Sequence, residues 1–253
     1  MPRHLCIGTA GWSIPRASCG RCPSEGTHLQ RYSRVFEAAE INSSFHRSHA
    51  PATYAKWAES TPPGFRFAVK VPRTITHDQQ LRRIREPLLR FLGESAALGD
   101  KRGPLLVQLP PSLAFDARVA GRAFATLRAA HEGPVVCEPR HATWFADRAE
   151  GLLRELQIAR VAADPPPVPG ADRPGGWLGM VYLRLHGSPR KYWSKYDTSV
   201  VLDLAGLIGR LPTSVEAWCI FDNTASGAAI ENAWELQQLV RSSATRHRPG
   251  DAS

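Results

Sequence analysis

Eight short apolar runs, at 5–8, 38–42, 65–71, 104–109, 134–138, 159–163, 180–186 and 216–221, recur along the chain with amphipathic or irregular stretches between them. Each is short enough for a strand and apolar enough to be buried on both faces, as a parallel sheet covered by helices requires. The intervening stretches carry a 3.6-residue apolar period, clearest over 116–131, 142–156 and 228–240. Asp116 stands where an N-cap belongs, and Pro51 where a first helical turn begins. This alternation predicts an α/β fold, and eight units predict closure into a parallel eight-stranded TIM (β/α)₈-type barrel forming one domain over 1–242. The polar residues 243–253 are expected to form a disordered tail.

One crossover departs from this rhythm. Residues 164–179 contain Pro165-Pro166-Pro167, Pro169 and Pro174, which remove amide donors and clash with a preceding turn. An irregular Pro-rich crossover should therefore replace the sixth helix, and it is long enough to return the chain for a parallel pairing.

The composition excludes several classes. No apolar run approaches the length of a membrane span, and the amino terminus lacks the long apolar core of a signal peptide, so a cytoplasmic, membrane-free protein is expected. The formal charge is +9, but the basic residues are scattered along helical stretches, which makes nucleic acid a weaker partner than a small anion. Five cysteines do not make a disulfide framework: Cys6, Cys137 and Cys219 lie in apolar runs, and Cys19 and Cys22 read as a reduced pair in a loop.

The ends of the strands carry the chemistry. Barrel side chains alternate between the interior and the helix layer, and functional groups come from the carboxyl ends of strands. Here those ends bear Glu40 and Asn42, Lys70, Gln108, Glu138 and Arg140, Asp164, Arg184 and His186, and Asp222 with Asn223. In Tyr182-Leu183-Arg184-Leu185-His186 the leucines take the helix side and leave three polar groups facing inward. So many ionisable groups must either pair in a salt-bridge network or meet a ligand.

Glu138, Asp164, His186 and Glu40 are the candidate acid, base and relay groups. Asn42, Lys70, His77, Gln108, Arg140, Arg184, Asp222, Asn223 and Gly227 are candidate substrate contacts. Gly187-Ser188 and Thr224–Gly227 follow the last two strands, where barrels often hold phosphate on backbone N–H groups. A divalent metal held by the carboxylates with His46, His49 or His77 is a further possibility, and a desolvated Lys70 suits imine chemistry. No glycine-flanked nucleophilic serine and no dinucleotide-binding GxGxxG follow a strand, which leaves no identified cofactor.

Seven ordered motifs together resemble the domain-of-unknown-function 72 family, the YecE-like proteins, over nearly the whole chain. They are Gly8-Thr9-Ala10-Gly11-Trp12, Glu40-Ile41-Asn42-Ser43-Ser44-Phe45, Phe65–Lys70 with Thr76-His77, Gln108-Leu109-Pro110-Pro111, Glu138-Pro139-Arg140-His141 with Trp144-Phe145, Tyr182–Gly187, and Asp222-Asn223 followed by Gly227-Ala228-Ala229 and Asn232-Ala233. The resemblance implies a TIM barrel and carries no substrate or reaction. The chain departs from the family pattern at His46, at Asp222 and in the loop holding Cys19 and Cys22.

The expectation is an enzyme for a small anionic substrate, a phosphorylated one among the candidates. Glu138 and Asp164 would exchange protons, His186 would relay, and Lys70, Arg140 and Arg184 would hold the anion. The alternative is a barrel that binds a ligand or nucleic acid at the same mouth without turnover.

Overall fold

A computed structural model of the chain describes residues 4–246. The fold is mixed α/β, a nearly closed barrel of ten mostly parallel strands wrapped by helices. The strands are β1 His4–Ala10, β2 Ala38–Ile41, β3 Arg66–Lys70, β4 Arg102–Gln108, β5 Val135–Glu138, β6 Ile158–Arg160, β7 Ala162–Asp164, β8 Gly175–Gly176, β9 Met180–Leu185 and β10 Glu216–Phe221. Their order around the sheet is β7-β9-β10-β1-β2-β3-β4-β5-β6-β8.

The run expected at 159–163 forms two strands rather than one. β6 pairs with β5, whereas β7 pairs with β9 in the register Ala162↔Leu183, Ala163↔Arg184 and Asp164↔Leu185. The change of partner falls at Val161, whose N–H donates to the Cys137 carbonyl at 2.8 Å. Two residues later the Ala163 N–H donates to the Ala171 carbonyl of the crossover, also at 2.8 Å. The terminal strand β7 is thus joined covalently through one residue to β6, the next-to-last strand at the other end of the sheet.

No helix occurs in 165–179 among the described residues, in keeping with the proline content. Instead β8 adds antiparallel to β6, and Glu150 ties the crossover down by accepting hydrogen bonds from Arg160 and from the Gly176 N–H.

The helices are α1 His28–Ser33, α2 Ser43–His46, α3 Pro51–Glu59, α4 Arg85–Ser95, α5 Ala117–Ala130, α6 Asp147–Glu155, α7 Thr198–Gly209 and α8 Ala228–Arg246. Pro51 occupies the first turn of α3, and the Asp116 carboxylate caps α5 by accepting from the N–H groups of Arg118 and Val119 at 2.9 and 3.1 Å. The expected helix over 142–156 is a 3₁₀ turn, Ala142–Phe145, followed by α6. Helix α8 continues six residues past Val240, so 243–246 are helical, and the rest of the expected tail lies outside the described residues.

Strand alternation sorts the core into two layers. Ile7, Ala39, Ile41, Phe67, Val69, Leu105, Val107, Leu183, Leu185, Cys219 and Phe221 pack outward against the helices. Cys6, Ala38, Ala68, Leu106, Val136, Ala159, Val161, Tyr182, Trp218 and Ile220 form a separate inner cluster. Within it the Tyr182 and Trp218 rings stack with centroids 6.1 Å apart. No helix among the described residues is long and apolar enough to cross a membrane.

Candidate functional site

The inner column of each strand turns polar as it approaches the carboxyl end. Counting two residues on from Ala38, Ala68, Leu106, Val136, Tyr182 and Ile220 gives Glu40, Lys70, Gln108, Glu138, Arg184 and Asp222. The barrel therefore brings these six together from six strands or strand ends, as the alternation of side chains requires.

Arg184 lies at their centre and is 1% exposed. Its Nη2 donates to Glu40 Oε1 at 2.8 Å and stands 2.9 Å from Asp222 Oδ2, while its Nη1 donates to Glu138 Oε2 at 3.1 Å. Nε donates to Glu40 Oε2 at 3.1 Å, and that oxygen also accepts from the Tyr182 hydroxyl at 2.7 Å. One guanidinium thus binds three carboxylates in the buried interior, where it stays charged. Burial works against its charge, but Asp222, Glu40 and Glu138 outweigh it and push its pKa upward.

His186 bridges the same carboxylates. Its Nδ1 lies 3.0 Å from Asp222 Oδ2 and its Nε2 lies 3.1 Å from Glu138 Oε1. A neutral imidazole donates only one hydrogen bond, so facing two carboxylates favours the imidazolium. Burial opposes this charge, yet Glu138 and the two hydrogen bonds raise the pKa of His186. The same pairing acts on the acids. Burial would raise the Glu138 carboxyl, but Arg184, His186 and Arg140 hold it well below the usual carboxylate range. Asp222 is likewise lowered, its burial outweighed by Arg184, His186 and Lys70.

Above this frame opens a cavity of about 400 Å³ lined by Asn42, Phe45, His46, Lys70, Arg73, His77, Gln108, Tyr192 and Asp222. Asp222 is its single acidic residue. The Lys70 ammonium sits 4.3 Å from the centre of the Phe45 ring and has no hydrogen-bond acceptor among the described residues. Burial first, then the Arg184 charge, lowers its pKa to about 8, although Glu40, Glu138 and Asp222 resist the shift. His77, packed edge-on against Phe45 and hydrogen-bonded to the Thr76 hydroxyl at 2.8 Å, is lowered by burial and by the neighbouring Lys70, Arg73 and Arg140. Gln108 Oε1 is buried with no donor. A larger hollow of about 1120 Å³ lies at the opposite end, around Leu5, Phe36 and Phe65, away from this convergence of polar groups.

Three expected site residues are engaged elsewhere. Asp164 is out of phase with the inward Ala159 and Val161, and its Oδ1 accepts from the Tyr196 hydroxyl at 2.7 Å. Tyr196 in turn packs on Phe221 of the outer layer, so Asp164 does not join the Arg184 cluster. Asn223, one residue past inward Asp222, donates to the Ser194 carbonyl at 2.9 Å and to Asn232 of α8 at 3.0 Å. Gly227 has a positive φ of 84°, and a Cβ there would lie 2.5 Å from Pro15 Cγ; its part is to let two loops touch.

The expected phosphate grip is also otherwise occupied. The Gly187 N–H donates to the Tyr196 hydroxyl at 2.8 Å, and the N–H groups of Ala225, Gly227, Ala228 and Ala229 donate to Tyr192, Thr224, Ser226 and Asn223. These five amides are therefore already satisfied within the protein.

Among the described residues no group of three His, Cys, Asp or Glu side chains is arranged to hold a metal ion. His49 bonds the Ser43 hydroxyl at 2.8 Å and packs against Tyr54 and Trp57, away from the cavity that His46 and His77 line. Arg140 stands at the rim, donating to Glu138 Oε1 at 3.2 Å and to the Tyr192 hydroxyl at 3.4 Å.

Sequence reasoning missed Phe45, Arg73 and Tyr192 as lining residues. Phe45 was visible as an aromatic three residues beyond Asn42, but Arg73 and Tyr192 sit on loops whose path no periodicity reveals.

The same fold recurs in known proteins. A DUF72 family protein from Enterococcus faecalis V583 shares the fold at a TM-score of 0.79, with 20% identity over 94% of this chain and 95% of that one. One from Thermotoga maritima MSB8 does so at 0.77, with 23% identity over 94% and 99%. The UPF0759 protein YecE of Escherichia coli K12 is 32% identical over 105 residues, a stretch that spans only 37% of its length. The family model for proteins of unknown function DUF72 matches residues 6–252, so the Arg184 frame and its cavity belong to a member of the DUF72 family.

Proposed function

We propose that this chain is an enzyme acting on a small anionic molecule held in the cavity above Arg184. In this reading the fold is an eight-unit TIM barrel in which β6 and β7 serve as the two halves of one strand. The observation that carries the functional reading is Lys70, a lysine 8% exposed whose ammonium faces a cavity without a protein acceptor. Burying a cation in that state is costly unless a ligand supplies the missing negative charge.

Lys70 and Arg73 would hold the anionic group, and Asn42 and Gln108 would orient the remainder through their amides. Proton exchange falls to Asp222 rather than to Glu138 or Asp164. Asp222 Oδ2 is occupied by Arg184 and His186, whereas no protein donor meets Oδ1 among the described residues. His186 holds Asp222 in place as an imidazolium, and Glu40, Glu138 and Arg184 supply the rigid frame.

A binder without turnover is favoured by one observation: both oxygens of Glu40 and of Glu138 are already bonded, leaving Asp222 as the single acid with a free oxygen at the cavity. Calorimetric titration with inorganic phosphate tests the common part of both readings. Saturable binding to the wild type and at least about tenfold weaker binding to Lys70→Met are expected, equal to the 1.4 kcal/mol or more that a desolvated ion pair supplies. Equal affinity in the two proteins, or none in either, would reject the site. Turnover of small phosphate esters or hydroxy acids that is lost in Asp222→Asn separates enzyme from binder.

A further inference from the structure

We infer that Lys70 is a nucleophile that forms an imine with the carbonyl carbon of a small anionic aldehyde or ketone bound in the mouth cavity. This rests on reading that cavity as a site for a small anion, and it names the substrate class.

A comparison of two lysines in the same molecule carries the argument. Lys101 is the anchoring kind: its ammonium donates to the Ala58 carbonyl at 2.6 Å, the Thr61 carbonyl at 2.6 Å and the Thr61 hydroxyl at 3.0 Å. Loss of a proton there would forfeit one of these three hydrogen bonds. Lys70 has none to lose, because its nitrogen faces the Phe45 ring and the cavity. The neutral amine, which is the nucleophilic form, is accordingly accessible to Lys70 without loss of a hydrogen bond, the contact given up being that of the cation with the Phe45 ring.

The surrounding charges act on Lys70 in both directions, and burial is the largest influence. The groups facing Lys70 are Arg184, whose guanidinium repels the ammonium, and Glu40, Glu138 and Asp222, which attract it. All three acids are already bound to Arg184, so their attraction is shared. Burial adds to the repulsion, and the amine titrates near the pH of the cell, at about 8.

The step balances without any further reagent. The amine nitrogen adds to the carbonyl carbon, and the C=O π pair moves onto oxygen. Both nitrogen protons then leave with that oxygen as water while the C=N bond forms. Asp222 Oδ1, on the same cavity wall, can accept the first of these protons and return it to the departing oxygen. Arg73 and the Gln108 amide remain to hold the carboxylate or phosphate of the substrate.

Glyoxylate, a two-carbon anionic aldehyde, is a direct probe. The whole chain is incubated with glyoxylate and cyanoborohydride near neutral pH, and the carboxymethyl adducts are located by peptide mass mapping. Lys70 should be modified at least about tenfold faster than Lys56, Lys101, Lys191 or Lys195, since a lower pKa exposes more neutral amine. Inorganic phosphate should slow labelling at Lys70 and leave the other four lysines unaffected. Lys70→Arg, which keeps the cation but cannot form an imine, should lose the fast adduct.

Labelling of Lys70 no faster than the other lysines overturns the inference, and mapping the wild-type protein decides this even if the variant fails to fold. If phosphate binds in calorimetry while glyoxylate leaves Lys70 unlabelled, the imine is wrong and the anion site stands. If phosphate does not bind and Lys70 stays unlabelled, both fall.

Discussion

Arg184 and Glu40, 144 residues apart in sequence, meet through Nη2 and Oε1 at 2.8 Å with neither side chain more than 1% exposed. The pair links β9 to the end of β2 across the interior, and the same guanidinium also engages Glu138 and Asp222. Removing the cation would leave three buried carboxylates without their common partner. Arg184→Met should therefore cost about 3–5 kcal/mol of stability, as breaking one side of a buried ionic cluster does. Urea denaturation checks this, and a loss below about 1 kcal/mol would mean the cluster is solvated rather than dry.

Glu138→Gln tests the frame from its acidic side. The carboxylate meets Arg184, His186 and Arg140, so the amide would leave three cations facing one another with less compensation. A loss of about 2–4 kcal/mol is expected. The pKa of His186 should also fall, because its first source of stabilising charge is gone. Nuclear magnetic resonance titration of the His186 ring follows this directly. A variant as stable as the wild type with an unmoved imidazole would refute the bridging geometry.

The pH dependence of stability divides into separable windows. His186 has a raised pKa, so its contribution is complete below the ordinary histidine value of about 6.5 and fades as pH rises through the folded value. Glu138 and Asp222 are lowered, so theirs is complete above about 4.3 and is lost as pH falls through their folded values. His131 behaves differently. It lies 6% exposed beyond α5, and burial first, then Arg102 and Arg128, lowers its pKa to about 4. The unfolded chain takes up a proton there before the folded one does, so stability should decline from pH 6.5 toward 4 by on the order of 2 kcal/mol. His131→Asn should flatten that decline in urea melts across the interval, and an unchanged slope would assign it to another group.

Strand parity made most of the site legible, and its limits explain the errors. Leu183 and Leu185 fix Tyr182, Arg184 and His186 as inward, and the same two-residue step from Ala38 and Ala68 reaches Glu40 and Lys70. Asp164 and Asn223 were grouped with them by position at strand ends, although each is out of phase with its inward neighbours. Parity also does not say how charges pair. That Arg184 binds three carboxylates rather than a substrate follows from the cross-barrel distances, which depend on how the strands are staggered. The break of the sixth expected strand at Val161 was hidden because Ala162 and Ala163 prolong the apolar run while changing its partner.

Lys70 carries the opposite energetic sign to Arg184, and this separates a residue kept for a ligand from one kept for the fold. Its pKa is lowered from 10.5 to about 8, so folding disfavours the ammonium. The sign follows from proton linkage: the penalty is complete below pH 8 and shrinks as pH rises toward 10.5, where both states are neutral. Lys70→Met, similar in length and without charge, should therefore stabilise the free protein by about 1–3 kcal/mol at neutral pH. The advantage should narrow as the pH is raised through 8 and beyond, and saturating phosphate should reduce it by stabilising only the wild type. Thermal melts with and without phosphate, at neutral and alkaline pH, measure each part. A destabilised Lys70→Met protein would show that the ammonium is paired within the folded chain, and would remove the reason for placing an anion beside it.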